Sequence, residues 1–175
     1  MKEYHLDNLD QIDLAILSEM QENGRISNSE LARRISLSQP ATHTRLKRLE
    51  TLGIIKKHVS LLDRDKLGFD LICFFHIRLQ VHSKEAPDLF EAHIHTLPNI
   101  IECHFLTGHF DYLLKAIFRS RAELEQFERH AIRAIPNIAQ VNTSVALSEI
   151  KSTTKLPLGR EKGERQKVKG VEYKS

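Results

Sequence analysis

The spacing of apolar residues changes near residue 70, and that change limits the folds open to the chain. Before it, apolar side chains recur three and four residues apart between strong helix caps. After it, Leu71, Cys73, Phe75, Ile77, Leu79 and Val81 alternate with a mixed face holding His76, Arg78 and Gln80. The first spacing buries one stripe of a helix and the second buries one face of a strand, so the chain reads as a helical module followed by a sheet. Its 175 residues suffice for two small domains. With 41% hydrophobic and 28% charged residues the composition is that of a globular protein, which excludes wholesale disorder, a collagen-like rod and a disulfide scaffold. No apolar run approaches the roughly 18 residues that span a bilayer, so no membrane partner is expected. Met1-Lys2-Glu3-Tyr4-His5 precedes no apolar signal core, which makes the cytoplasm the expected compartment and Cys73 and Cys103 reduced, buried thiols.

In the first module, Asp10 caps a helix carrying Ile12, Ile16 and Met20, and Asn23-Gly24 ends it. Ser27-Asn28-Ser29-Glu30 has the form of a capping box for a short second helix that buries Leu31 and Ile35. Ser38 caps a third, with Pro40 tolerated in its first turn and Gly53 as its left-handed stop. Thr42, Leu46 and Leu49 form the inward stripe of that helix, and residues 54–62 read as a short hairpin or strand behind it. Residues 1–62 make this module, and residues 63–70 are a polar connector.

Residues 71–158 form the second module. After the first strand comes a helix over about 84–96, then strands over 100–106 and 112–118 around Thr107-Gly108-His109-Phe110-Asp111. A second capping box, Ser120 to Glu123, opens a helix with Leu124, Phe127, Ala131 and Ile135 inward, and Val141, Thr143, Val145 and Leu147 mark the last strand. The order is βαββαβ, the ferredoxin-like arrangement of an α+β fold, whose helices cover one sheet face. The other face needs a partner, which predicts a homodimer. Residues 159–175 are basic and small, and are expected to be a disordered tail.

Net charge is only +3, but Arg33, Arg34, Arg45, Lys47, Arg48, Lys56 and Lys57 are opposed between residues 33 and 57 by Glu50 alone. Two capped helices joined through Ser36-Leu37, the second basic on its outer side, are the helix-turn-helix pattern for double-stranded DNA. Gln39, Pro40, His43 and Thr44, near the amino end, would approach base edges, while Arg45, Lys47, Arg48 and Lys56 would meet phosphates, and the capping Ser38 is counted with this DNA-binding set. Arg45 flanks the buried stripe, so a structural ion pair is nearly as good a reading of it.

The ordered run Leu9-Asp10-Gln11-Ile12-Asp13-Leu14, Asn23-Gly24-Arg25-Ile26-Ser27, Glu30-Leu31-Ala32, Leu37-Ser38, Arg45-Leu46-Lys47-Arg48-Leu49-Glu50, Gly53-Ile54-Ile55 and Thr107-Gly108-His109-Phe110-Asp111-Tyr112 resembles the Lrp/AsnC, or feast/famine, transcriptional regulators. Thr153-Thr154-Lys155-Leu156-Pro157-Leu158 is similar to that family's ending. The resemblance implies an amino-terminal winged helix-turn-helix, dimers that pair their sheets and often assemble into octamers, and a small effector, commonly an amino acid, between neighbouring second domains. Carried onto this chain, it assigns Leu106, Thr107, Gly108, Asp111 and Tyr112 to the effector site, with Thr143 and Ser144 from the last strand. The chain departs from the pattern at Ser36, where relatives usually carry glycine, and at His109, where an acid is common.

Two rivals share parts of this reading. Sirohaem decarboxylases have the same two-domain architecture, and a nucleoid-like architectural protein would bind DNA with little sequence preference. Neither a metal nor a cofactor is expected. His93 and His95 point to opposite sides of a helix, Cys103 and His104 to opposite faces of a strand, and no Walker or Rossmann glycine pattern is present.

Overall fold

The computed structural model describes residues 9–80 and 85–158. They form two compact units, one built from the residues up to Ser60 together with the segment from Thr153, the other from Leu61–Ser152. Residues 153–158, expected in the second module, belong to the first unit. The expected tail, residues 159–175, lies outside the described residues.

Unit one holds α1 (Gln11–Glu22), α2 (Asn28–Arg34) and α3 (Gln39–Thr51). Asp10 and Asp13 cap α1 reciprocally, each carboxylate accepting from the other's backbone N–H. Ser27 caps α2 by accepting from the Glu30 N–H at 3.2 Å, but Glu30 does not reach back as a capping box would require. Its carboxylate instead grips Arg33 and Arg34, which together hold it down to about 2. Ile16, Leu17, Leu31 and Leu49 form the core, with Ile12, Met20, Ile26, Ile35, Leu46 and Ile55 around it.

Leu158 packs against the same core. The Gln21 amide holds the backbone of Leu156 from both sides, accepting from its N–H at 2.6 Å and donating to its carbonyl at 3.2 Å. Lys155 pairs with Glu22 beside it. Residues 153–158 are thus a strap across α1, and the chain passes between the units twice, after Ser60 and after Ser152.

The hairpin or strand expected over residues 54–62 is absent: beyond Ile55 the backbone takes no regular form, and Val59, Leu61 and Leu62 are exposed. A strand needs a neighbour to satisfy its N–H and C=O groups, and no described segment of this single chain pairs with this one.

Ser36 sits in the turn between α2 and α3 with φ of 55°. This left-handed backbone explains why glycine suits the position, since a Cβ there crowds the following carbonyl. Ser36→Gly is expected to raise stability by up to about 1 kcal/mol, once the larger unfolded-state entropy of glycine is set against the relieved strain. Urea denaturation of both proteins checks this; a destabilised variant would contradict it.

Unit two contains β1 (Leu71–Leu79), α4 (Glu85–Ile94), β2 (Ile100–Phe105), β3 (Tyr112–Phe118), α5 (Arg121–Phe127) with a π-helical turn (Glu128–Ile132), and β4 (Ile138–Val145). The strands pair antiparallel in the order β2-β3-β1-β4, the topology expected for the ferredoxin-like fold. Cys73, Phe75, Ile77 and Leu79 alternate onto the helix side, where Phe90, Tyr112, Leu114, Phe118, Leu124 and Phe127 complete the core. Leu147, expected inside the last strand, is fully exposed beyond its end, and Cys103, expected to be buried, is exposed because β2 is the edge strand of the sheet. The opposite face carries His76 between Leu113 and Asn142, and Phe74 between Lys115 and Ser144. No described element forms a second layer over it in this single chain.

Candidate nucleic-acid interface and effector hairpin

The outer face of α3 follows from what pins the inner one. Thr42 and Leu49 are fully buried, and the Thr42 hydroxyl donates to the Ser38 carbonyl at 3.0 Å rather than leaving an unpaired polar group inside. At the amino end the Asn28 amide donates to the Gln39 carbonyl at 2.9 Å, tying the start of α2 to the start of α3. Ser38 accepts from the Ala41 N–H, so its hydroxyl oxygen serves as the helix cap.

Asp13 fixes the other end of this arrangement. It is completely buried, and its two oxygens accept from Arg45 at 2.8 Å and Arg48 at 3.1 Å. Asp10 takes the same Arg45 guanidinium at 2.7 Å. The Asp13 backbone N–H and then Arg45 hold the Asp10 carboxyl below the usual carboxylate range, and Asp10 and Asp13 raise Arg45 in return. Two of the residues assigned from sequence to phosphate contacts therefore hold α1 against the recognition helix. For Arg45 this decides between its two readings: the ion pair is the one formed, because the side chain leaves α3 on the flank that meets α1.

Gln39, Pro40, His43, Thr44 and Lys47 are all exposed and lie together on the remaining face of α3. The Thr44 hydroxyl donates to the Pro40 carbonyl at 3.0 Å and keeps an oxygen facing outward. Lys56 is also exposed, in the irregular segment that follows. Asp13 was the residue missed: an acid in the first turn of a helix reads as dipole compensation, and nothing local shows that two arginines more than thirty positions away will close over it.

The residues assigned to the effector divide into groups. Leu106, Thr107, Gly108 and Asp111 sit in the β2–β3 hairpin, where Gly108 adopts φ of 122°, a conformation closed to most side chains. Asp111 is not a solvated turn acid. Its backbone N–H donates to the Ile77 carbonyl at 2.9 Å and its carboxylate accepts from the Leu79 N–H at 2.7 Å, bridging the hairpin to the end of β1. One carboxylate oxygen is thereby committed where the β1–β4 register shifts at Arg78/Leu79.

Tyr112 turns the other way, into the helix layer, where it is buried and donates to Glu91 at 2.9 Å. Burial and then the Glu91 carboxylate push the phenol well above its ordinary value. Thr143 and Ser144 occupy opposite faces of β4, paired to Phe75 and Phe74 of β1. Thr143 donates to Glu128 of the π-helical turn. Within one chain, β1 stands between these two residues and the hairpin, so the seven do not form one pocket. Among the described residues no cluster of three or more His, Cys, Asp or Glu is gathered for a metal.

Residues 9–56 match the winged helix-turn-helix DNA-binding family, and residues 72–156 match the Lrp/AsnC ligand binding domain. The chain belongs to the Lrp/AsnC family. It is 39% identical over 150 residues to the leucine-responsive regulatory protein of Haemophilus influenzae, covering 86% of this chain and 90% of that one. The transcriptional regulator AzlB of Bacillus subtilis is 35% identical over 150 residues, covering 86% and 96%. Among solved structures, a transcriptional regulator from Neisseria meningitidis in complex with L-Met superposes with a TM-score of 0.82 at 35% identity, covering 86% and 97%. The AsnC protein of E. coli superposes with a TM-score of 0.78 at 27% identity, covering 84% and 97%. The family is one of transcriptional regulators, with a DNA-binding and a ligand-binding domain joined in one chain.

Proposed function

We propose that this regulator binds double-stranded DNA in the cytoplasm as a homodimer or a larger assembly of dimers, laying the exposed face of α3 in the major groove. One observation carries the reading: Gln39, Pro40, His43, Thr44 and Lys47 are displayed together on one face of a capped helix whose other sides are held by a core and by ion pairs. Rigid presentation of a few polar side chains is what base readout requires. Gln39, His43 and Thr44 read bases; Lys47 and Lys56 contact phosphates; Arg45 and Arg48 keep α3 at its angle to α1. Two-fold symmetry of the dimer then implies dyad-related half-sites.

The second unit senses an amino acid at its β2–β3 hairpin, with the Gly108 backbone approaching the carboxylate and the free oxygen of Asp111 accepting from the ammonium group. Because Thr143 and Ser144 lie across β1 from that hairpin in the same subunit, they complete the site only through a neighbouring copy. That arrangement links occupancy to assembly.

Lys47→Ala tests the DNA-binding face. Each phosphate neutralised contributes about 0.9 to the slope of log affinity against log salt, so the variant should bind all sequences more weakly with a slope shallower by about 0.9 for each subunit engaged. An unchanged slope would remove Lys47 from the interface. Comparable affinity for operator and random DNA would identify an architectural protein instead.

A further inference from the structure

Two threonines on the outer side of α3 spend their protons on the helix itself. The Thr44 hydroxyl donates to the Pro40 carbonyl at 3.0 Å, and the Thr51 hydroxyl donates to the Lys47 carbonyl at 2.8 Å. A hydroxyl carries one proton, so what either side chain still offers a partner is a methyl group and an oxygen that only accepts. The two stand about two turns apart on the same side of the helix and line one open groove with His43, Lys47 and Leu52. Leu52 is 57% exposed at the carboxyl end of this groove. Pro40, one turn before Thr44, is exposed and brings a ring with no N–H.

The surface around Thr44 is therefore apolar and accepting, with the cation of Lys47 one turn further on. In the major groove each base shows a different edge. Guanine presents two acceptors, and nothing apolar to meet the Pro40 ring and the Thr44 methyl. Adenine and cytosine present an amino group, which the Thr44 oxygen would accept, but whose hydrogens turn towards a surface that already carries the Lys47 charge. Thymine alone combines a methyl group, at C5, with an acceptor, O4. The methyl fits the apolar patch, and O4 suits the donors beside it on His43 and Lys47.

We infer that Thr44 and Pro40 read a thymine methyl group in each half-site of the DNA. This rests on the placement of α3 in the major groove argued above, and it names the base edge that placement leaves open. Methyl contact exchanges no hydrogen bond, so Thr44 keeps its bond to Pro40 when DNA binds and the side chain enters the groove already in its bound form. Specificity at this position then comes from shape and apolar contact, while the donors on Gln39 and His43 serve neighbouring bases.

Duplexes selected from a random library by the full-length protein supply the probe. Each thymine of the selected site is replaced singly by deoxyuridine, which removes one methyl group and leaves every hydrogen-bonding group in place. Competition binding at fixed salt should reveal a dyad-related thymine in each half-site whose replacement weakens binding roughly fourfold, the effect of losing one buried methyl group. Thr44→Ser retains the hydroxyl and its internal hydrogen bond but lacks the methyl group. It should bind the thymine duplex roughly fourfold more weakly per half-site and no longer distinguish thymine from uracil there. Thr44→Val keeps a methyl group without the hydroxyl and should preserve the discrimination.

A purely structural role for Thr44 would leave the thymine-to-uracil ratio unchanged in both variants. Discrimination that survives in Thr44→Ser, or a site in which no thymine is sensitive to loss of its methyl group, overturns the assignment, while sequence-selective binding in the same assay still supports α3 as the reading helix. A library that yields no preferred duplex overturns base reading by α3, and this inference with it.

Discussion

Asp13→Ala is expected to cost about 2 to 3 kcal/mol of unit-one stability, measured by urea denaturation, although Asp13 touches neither DNA nor effector. The acid is wholly enclosed, and its removal takes away the carboxylate that the Arg45 and Arg48 guanidinium groups share, while Asp10 still holds Arg45. Breaking one side of a fully buried ion pair costs roughly 3 to 5 kcal/mol. The expectation is lower here because the Arg45 and Arg48 side chains are 29% and 45% exposed, so water takes up part of the loss. DNA affinity should fall as well, because α3 loses the contact that sets its angle to α1. Asp13→Asn keeps an acceptor of the same shape and should lie between the two. A variant as stable as the parent would show that the arginines are held by other contacts and that Asp13 is dispensable.

Asp111→Ala should lower the stability of unit two by about 1.5 to 3 kcal/mol in the absence of any ligand, the usual worth of a hydrogen bond to a charged acceptor. The cause is the Leu79 N–H, which loses its partner at the irregular end of β1. The same substitution should abolish stabilisation by an amino-acid effector. Asp111→Asn separates the two roles: its carbonyl can still accept from Leu79 and largely restore the fold, whereas it lacks the charge that an ammonium group needs. Thermal unfolding with and without amino acids reads both effects. Full ligand-induced stabilisation in Asp111→Asn would take the carboxylate out of the effector site, and an unchanged ligand-free midpoint in Asp111→Ala would make the Leu79 bond inconsequential.

The helix ends were legible because caps are local: Asp10, Ser27, Ser38 and Ser120 each accept from a backbone N–H two or three residues on, within reach of short-range pattern. The order of strands was legible for a similar reason, since alternation over seven or eight residues states which face is inward. The turn at Ser36 was foreseeable as a short link between two capped helices, whereas its left-handed backbone shows only in the structure. Residues 54–62 were misread because their apolar content suits a strand, but a strand is decided by whether a partner edge is present, and that is not a local property.

What this sequence determined by itself is therefore the set of elements, their inward faces, and the polar, basic side of α3 that points to DNA. Tertiary structure alone decided which charges on that helix remain available. Arg45 and Lys47 are two positions apart, yet one side chain closes on Asp10 and Asp13 and the other faces outward. It also decided that Leu158 returns to the first unit's core and that Asp111 serves the backbone of β1. All three depend on groups more than thirty residues apart meeting in space. Hydrogen bonds and ion pairs act over a few ångströms, so which of them form is set by the packed arrangement of elements, after local propensity has fixed the elements themselves.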